Sequence, residues 1–565
     1  MKTVMKKGKQ IEALLLSMLL LLAVFTGCSS SGTESSETTK SSTSEKAGDG
    51  SGTEEQQEES AENTGEFKLP ITEEKTTITV FTRNDANLSN IVDNFNETYF
   101  FQELEKRTNI HIDFDIPAVG NESQAFNLLI ASDELPDMIA NQRPGYPGGL
   151  DAAIDDGYYL DLTDLVPKYA PHYYEVMKSW EDIDLTAYKS AFTGSGRIGA
   201  LGMFYTEPQG PWAGLYVRED WLEKCGLDVP QTYEDWEVML TAFKDEMGAT
   251  TPLLLGKNGY DNTYNVLSIG FGVTSSWYNN DGVVKFGPAQ EGWKEYVTLL
   301  HDWYEKGLID PDFMSSTAPF MIEPDTSLIT TNKAGATAGV YTNISAWEEG
   351  CTDPDANFIP VYPPMPTAGM KHDFQNMSPP TASATNGLSI SADSENAEIC
   401  LRLIDYFFTE EGEIFCNYGV EGDTFTYDAA GDPQYTEKLT DNDQMSFAQA
   451  LAYYTMPPAR VSWQDWRREL VLLPEEDTIC YDIWGAGTNK NSLPMVEAMN
   501  MEPDDYSEYS KLMADIQTTV DEMTPQFISG VLSMDEYDTY LERLDSMGVD
   551  RATEIVQKTY TKFME

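Results

Sequence analysis

The sequence is poor in positive charge. Its 36 lysines and arginines stand against 94 aspartates and glutamates, for a formal net charge of −58. So acidic a body repels nucleic acid and anionic lipid surfaces, no polyanion partner is expected, and the acidity argues mildly against anionic ligands. Histidine is scarcer, with only His111, His172, His301 and His372. No G-x-S-x-G elbow presents a nucleophile, so acyl-transfer chemistry has no visible machinery. His111 lies in an apolar strand and His301 beside Trp303 on a helix, and both read as packed or surface residues. The six cysteines show no CxxC pair and no zinc spacing. Apart from Cys28, the scattered Cys225, Cys351, Cys400, Cys416 and Cys480 are expected to be free, mostly buried thiols. Asp310 and Asp312 begin like a calcium loop, but Ser315 and Met321 stand where an EF-hand needs Gly and Glu. No metal, no cofactor and no internal repeat is expected. Paired carboxylates for glycoside hydrolysis are uninformative amid so many acids.

No apolar run is long enough to span a bilayer. Ile11 to Phe25 supplies about 15 residues where a spanning helix needs roughly 20. Lys2, Lys6, Lys7 and Lys9 precede that run and Thr26-Gly27 close it, which is the layout of an export signal. Cys28 follows at once, and the arrangement resembles the lipobox of bacterial lipoproteins, with Phe25 a departure from the usual leucine. That resemblance implies residues 1–27 as a signal and Cys28 as the acylated first residue of the mature chain. Residues 28–66 are rich in Ser, Thr, Gly and Glu and too poor in apolar side chains to offset the entropy of ordering. They read as a flexible tether.

Roughly 500 residues remain, more than one hydrophobic core usually serves. At 41% hydrophobic and 12% aromatic residues the body can fill two cores. TITVFTRN, FFQELEKRTN, IHIDFDIP, SQAFNLLIASDELP and DMIAN alternate strand-like and helix-like patterns, which predicts βαβ units and a parallel sheet. Ligands of such sheets collect beyond the carboxyl ends of the strands, here Arg83 and Asn84 and then Asn141 to Arg143. The same polar residues would equally serve to finish strands. NNDGVVKF reads as a hairpin turning at Asp281-Gly282, and Ser533 with Glu536 reads as a helix cap. GSGRIG at 194–199 matches G-x-G-x-x-G but leads into a strand rather than a helix, so no nucleotide site is expected. Aromatic residues recur beside polar turns: Trp212, Trp277, Tyr278, Tyr341, Trp347, Phe425, Tyr427 and Trp484. Flat amphipathic rings beside hydrogen-bonding groups suit a sugar's apolar face and hydroxyl rim. Each ring could instead pack a core.

FFQELEKRTNIHIDFDIP with LLIASDELPDMI, DLTDLVPKYAP, YVREDWLEKCGLDVPQTYEDW, DGVVKFGPAQEGWKEYVTLLHDWYEKGLID, LRLIDYFFTEEGEIFCNYGVEGDTF and FISGVLSMDEYDTYLERL together resemble the family 1 extracellular solute-binding proteins of bacterial ABC importers, LipO-like lipoproteins among them. The resemblance implies an α/β fold of the periplasmic-binding-protein type II, with two lobes and a ligand cleft between them. It places residues 67–200 and 386–430 in the first lobe and 201–385 and 431–565 in the second, with crossings near Ile198 to Tyr205 and Thr381 to Leu388. It implies capture of a carbohydrate, delivery to the permease subunits of an ABC transporter, no catalysis, a monomer, and attachment to the outer face of the cell membrane through lipid alone. Arg83, Asn84, Trp212, Trp277, Tyr341, Trp347, Glu421, Asp423 and Trp484 are the ligand-contact candidates. A surface-tethered glycan hydrolase, or a receptor of this fold for a peptide or other solute, are the alternatives. A Cys28→Ser substitution is expected to abolish lipidation, read by mass spectrometry of the native N-terminus. An unmodified wild-type N-terminus would refute the lipobox reading.

Overall fold

In the computed structural model the described residues are 67–565, apart from 86, 119–120, 133, 141–144, 208–209, 212, 256–266, 316–325, 341–342, 375–381, 458–459, 470–474, 488–498 and 500. All of them fall in the compact unit Asn63–Glu565. In chain order the strands are β1 Thr76–Phe81, β2 Ile110–Asp115, β3 Met138–Ala140, β4 Leu201–Tyr205, β5 Ala213–Arg218, β6 Trp277–Asn280, β7 Val283–Phe286, β8 Ala336–Val340, β9 Phe358–Val361, β10 Ala382–Ile390, β11 Phe425–Tyr427, β12 Pro433–Tyr435 and β13 Trp463–Gln464.

The first βαβ unit forms as the pattern predicts. Ile78 and Val80 of β1 point into the core, and Thr76 to Phe81 pair in parallel with Ile110 to Asp115. Between them the helix Tyr99–Thr108 starts where the Thr98 hydroxyl accepts from the Phe101 amide, and ends at Asn109 with φ 64°. β3 joins β1 in parallel, β10 runs antiparallel between β3 and β4, and β13 runs parallel to β4. The order is β13-β4-β10-β3-β1-β2. Every strand except β10 therefore points the same way. The chain after Phe81, Asp115, Ala140, Tyr205 and Gln464, and the chain entering Ala382, all meet one edge of this sheet.

A second sheet, β8-β5-β9, is antiparallel throughout. Trp221, Trp236, Trp293 and Trp303 fill its core together with Ile516, Val520, Ile555 and Val556 of the C-terminal helices. The predicted hairpin is present, with Asp281 at φ 51° and Gly282 at φ 90°, both in the left-handed region that the tight turn demands. The Ser533–Glu536 capping box is present too, at the head of Met534–Glu536. The Arg218 guanidinium, fully buried at the end of β5, forks onto Asp220 at 2.6 and 2.8 Å and reaches the Asn332 side-chain oxygen at 2.6 Å.

The expected lobe boundaries need two corrections. β4 belongs to the first sheet, not the second lobe. Residues 433–457 and 460–468 also pack on the first sheet and its helices: Met456 and Val461 enter their core, Tyr454 meets Tyr99 with ring centroids 5.4 Å apart, and β13 extends the sheet. The physical reason is the apolar face of Phe447–Tyr454, which is covered by the helix Tyr99–Thr108 and the Leu88–Phe95 cluster. The five cysteines Cys225, Cys351, Cys400, Cys416 and Cys480 are free. Among the described residues no helix is long and apolar enough to cross a membrane.

Gly214 of β5 stands opposite Gly339 of β8. The Trp484 ring lies on the first glycine and the Trp347 ring on the second, so a β-carbon at 214 would sit 2.3 Å from Trp484 and one at 339 would sit 2.5 Å from Trp347. Gly214→Ala is therefore expected to cost about 1–3 kcal/mol through overpacking. Urea denaturation would show it as a lower midpoint.

Candidate functional site: the carboxyl edge of the first sheet

The converging edge carries two groups of polar side chains. At the end of β1, Arg83 is exposed and Asn84 is partly buried, its side-chain oxygen accepting from the Asp85 amide at 2.8 Å. The Arg460 guanidinium crosses from the segment before β13 to donate to the Thr82 hydroxyl and to the Arg83 carbonyl, each at 3.1 Å. It also lies over the Phe95 ring, 5.3 Å from its centroid. Arg460 so fixes the turn that displays Arg83 and Asn84. Burial pushes its pKa down to about 10, Asp85 opposes that shift, and the neighbouring Arg83 charge adds to it.

The second group follows β4 and β13. Asp465 receives both arms of Arg467, at 2.9 and 3.1 Å, and the Tyr418 hydroxyl at 2.9 Å. Arg467 reaches on to Glu207 at 3.3 Å. Behind them lies fully buried Asn417, whose side-chain oxygen accepts from the Asp465 amide while its amide nitrogen donates to the Trp463 carbonyl and to Glu413. A half-exposed guanidinium is thus held in place by a buried lattice. Burial, and then the Asp465 charge, raise the Glu413 pKa to about 7.

Of the residues singled out in the sequence, Arg83 and Asn84 lie on this edge. Trp212, Tyr341 and Cys28 lie outside the described residues. Trp347 and Trp484 are core residues instead. Both stand edge-on to Tyr216, at 5.3 and 5.1 Å, and the Trp484 indole donates to the Leu215 carbonyl. Trp277 is likewise buried, its ring against Phe286 and its indole nitrogen donating to Tyr509 of the C-terminal helices. Polar turns in the sequence flank these rings, but the paired glycines and the hairpin draw them inward. Asp423 accepts from Lys438 at 2.7 Å and from the Tyr99 hydroxyl, and Lys438 holds its pKa down. Glu421 is exposed in the same turn. That turn packs on the helices of the first body, and Asp423 is occupied as a local ion-pair partner. The GSGRIG stretch is a turn pinned by Asp151, which accepts from the Ser195 amide and hydroxyl and from Arg197.

Arg460, Arg467, Asp465 and Glu207 were not visible as site residues in the sequence. PPAR and QDWRREL carry no motif, and only the pairing of the two-residue β13 with β4 brings them to the edge.

The family model for "bacterial extracellular solute-binding protein" matches residues 92–414. The chain belongs to that family. This solute-binding protein is 23% identical over 514 residues to the fructooligosaccharide ABC transporter substrate-binding protein FusA of Streptococcus pneumoniae, covering 83% of this chain and 87% of that one. It is 23% identical over 336 residues to lipoprotein LipO of Bacillus subtilis, covering 56% and 62%. Among solved structures, an HMO-binding solute-binding protein of Bifidobacterium longum infantis superposes with a TM-score of 0.68 at 20% identity, over 87% of this chain and 99% of the other. The fold is of the periplasmic-binding-protein type II.

Glu413 makes this site sensitive to pH. Below about 4.5 the folded and unfolded states both hold its proton; between there and about 7 only the folded state does, so stability falls as pH rises and the loss is complete above 7. The size is about 3 kcal/mol. Glu413→Gln keeps the Asn417 hydrogen bond, so urea midpoints of wild type and variant are expected to agree near pH 4 and to differ at pH 8, with the variant more stable.

Proposed function

We propose that this solute-binding protein is a lipid-anchored receptor on the outer face of the cell membrane, which captures an oligosaccharide beyond the carboxyl edge of the first sheet and hands it to the permease subunits of an ABC transporter. The observation that carries the reading is the convergence at one edge of five strand ends and the entry to β10, with Arg83, Asn84, Arg460 and Arg467 held there as hydrogen-bond donors. Open parallel sheets bind ligands at this edge. The substrates named for the relatives, fructooligosaccharide and HMO, favour a sugar over other solutes. Arg83 and Asn84 touch the ligand in this reading, and it returns chemically unchanged.

The protein is expected to gain about 2.7 kcal/mol of stability from a cognate glycan at a hundred times its dissociation constant. A thermal-shift screen of plant, host and microbial oligosaccharides, with the sugars recovered from the same wells, checks this. Shortened sugars would mean hydrolysis. A shift with peptides alone would move the receptor to another solute class.

A further inference from the structure

A chain with 94 acidic and 36 basic residues has carboxylates to spare for every arginine. Five described arginines use them: Arg107 pairs with Glu411, Arg197 with Asp151, Arg218 with Asp220, Arg467 with Asp465 and Arg551 with Glu508. Buried Arg468 instead spends its fork on the Cys416 and Met456 carbonyls, inside the first core. At the converging edge itself, Arg83 and Arg460 use no carboxylate. Among the described residues neither lies within ion-pair distance of a carboxylate, and the bonds of the Arg460 fork go to a hydroxyl and a carbonyl. The two are close enough that Arg83 makes it harder for Arg460 to keep its charge. Asp85 is the acid whose charge reaches Arg460, and its carboxylate also accepts the Asn87 amide. The charges that act on the Arg460 guanidinium are thus one carboxylate and one further guanidinium, and neither arginine is engaged by a carboxylate at ion-pair distance among the described residues.

The protein's overall acidity does not decide what binds there. At physiological salt the field of distant charges fades within about 8 Å, so a ligand on the edge feels its immediate neighbours. A neutral sugar would leave the repulsion between the two cations in place. A carboxylate would relieve it, and its two oxygens match the fork of an arginine.

We infer that the captured oligosaccharide carries a carboxylate, on a uronic-acid or sialic-acid residue, received by Arg83 and Arg460 beyond the end of β1. This rests on the carbohydrate reading above and reverses the expectation from net charge.

The test is calorimetric titration of the full protein with matched pairs: trigalacturonate against its methyl ester, and sialyllactose against lactose. Whichever pair binds, the acid is expected to bind at least about tenfold tighter than its neutral partner, with an advantage that shrinks as salt is raised. Arg83→Gln, on an exposed side chain, is expected to remove that advantage, weakening the acid by at least about tenfold more than its neutral partner. Arg460→Lys, which keeps the charge and loses the fork, is expected to weaken the acid more than its neutral partner. The two pairs separate a uronate from a sialate. Neutral sugars binding as tightly as acids would overturn the inference and leave the sugar receptor standing. If no sugar binds and another solute class does, both fall together.

Discussion

The molecule depends on one reversed strand. β10 runs against all its neighbours in the first sheet, so the chain that leaves through the end of β4 comes back in at the same edge. Everything between Tyr205 and Ala382, including the β8-β5-β9 sheet, is in effect a long excursion from that edge. The connection is triple, because the chain after β13 also leaves this edge for the C-terminal helices that pack with the second sheet. All three links join the first sheet beside the ends of β1 and β3, so the converging edge and the links between the two sheets are consequences of the same hydrogen-bond pattern.

The second constraint is local and electrostatic. Charge of one sign dominates the chain, so the few cations have their positions set by the many anions. Arg218 and Arg197 show the usual outcome, each forked or bridged onto acids that hold a strand end or a turn. Arg467 shows how the same pairing places a donor at the converging edge, because Asp465 is itself fixed by Tyr418 and Asn417. Arg460, like buried Arg468, departs from the rule. Its rigidity comes from backbone and hydroxyl acceptors, which leave its charge unanswered.

Much of the fold was legible in the sequence. The period-two strand TTITVF, the helix that Thr98 caps and the Asp281-Gly282 turn each follow from local chemistry, and each formed where expected. The site was less legible. Arg83 and Asn84 could be placed because they directly follow a strong strand. Arg460, Arg467 and Asp465 could not, since what positions them is the pairing of a two-residue strand across more than 250 residues of chain. The aromatic residues misled for a related reason. A tryptophan beside a polar turn has the same local sequence whether its face meets a sugar or a glycine; for Trp484 the partner Gly214 lies far away in the chain, and Trp347 folds back onto nearby Gly339 only because that glycine is paired in a sheet. The boundary near residue 430 failed because chain order does not reveal that Phe447–Tyr454 turns back onto the first helix.

The free cysteines bear on survival outside the cell. With no disulfide among its described residues, the folded body gives up their cross-linking, but it also has no such bond there that a reductant can cut. Its weakness would be irreversible oxidation, which proceeds through the thiolate. Burial raises the pKa of Cys400 and Cys416 in the first core, and more modestly that of Cys225 and Cys351, so little of any of these thiols ionises at neutral pH. The packing that closes the cores therefore also makes these sulfurs chemically quiet, so that resistance to oxidation comes from the same burial that gives stability.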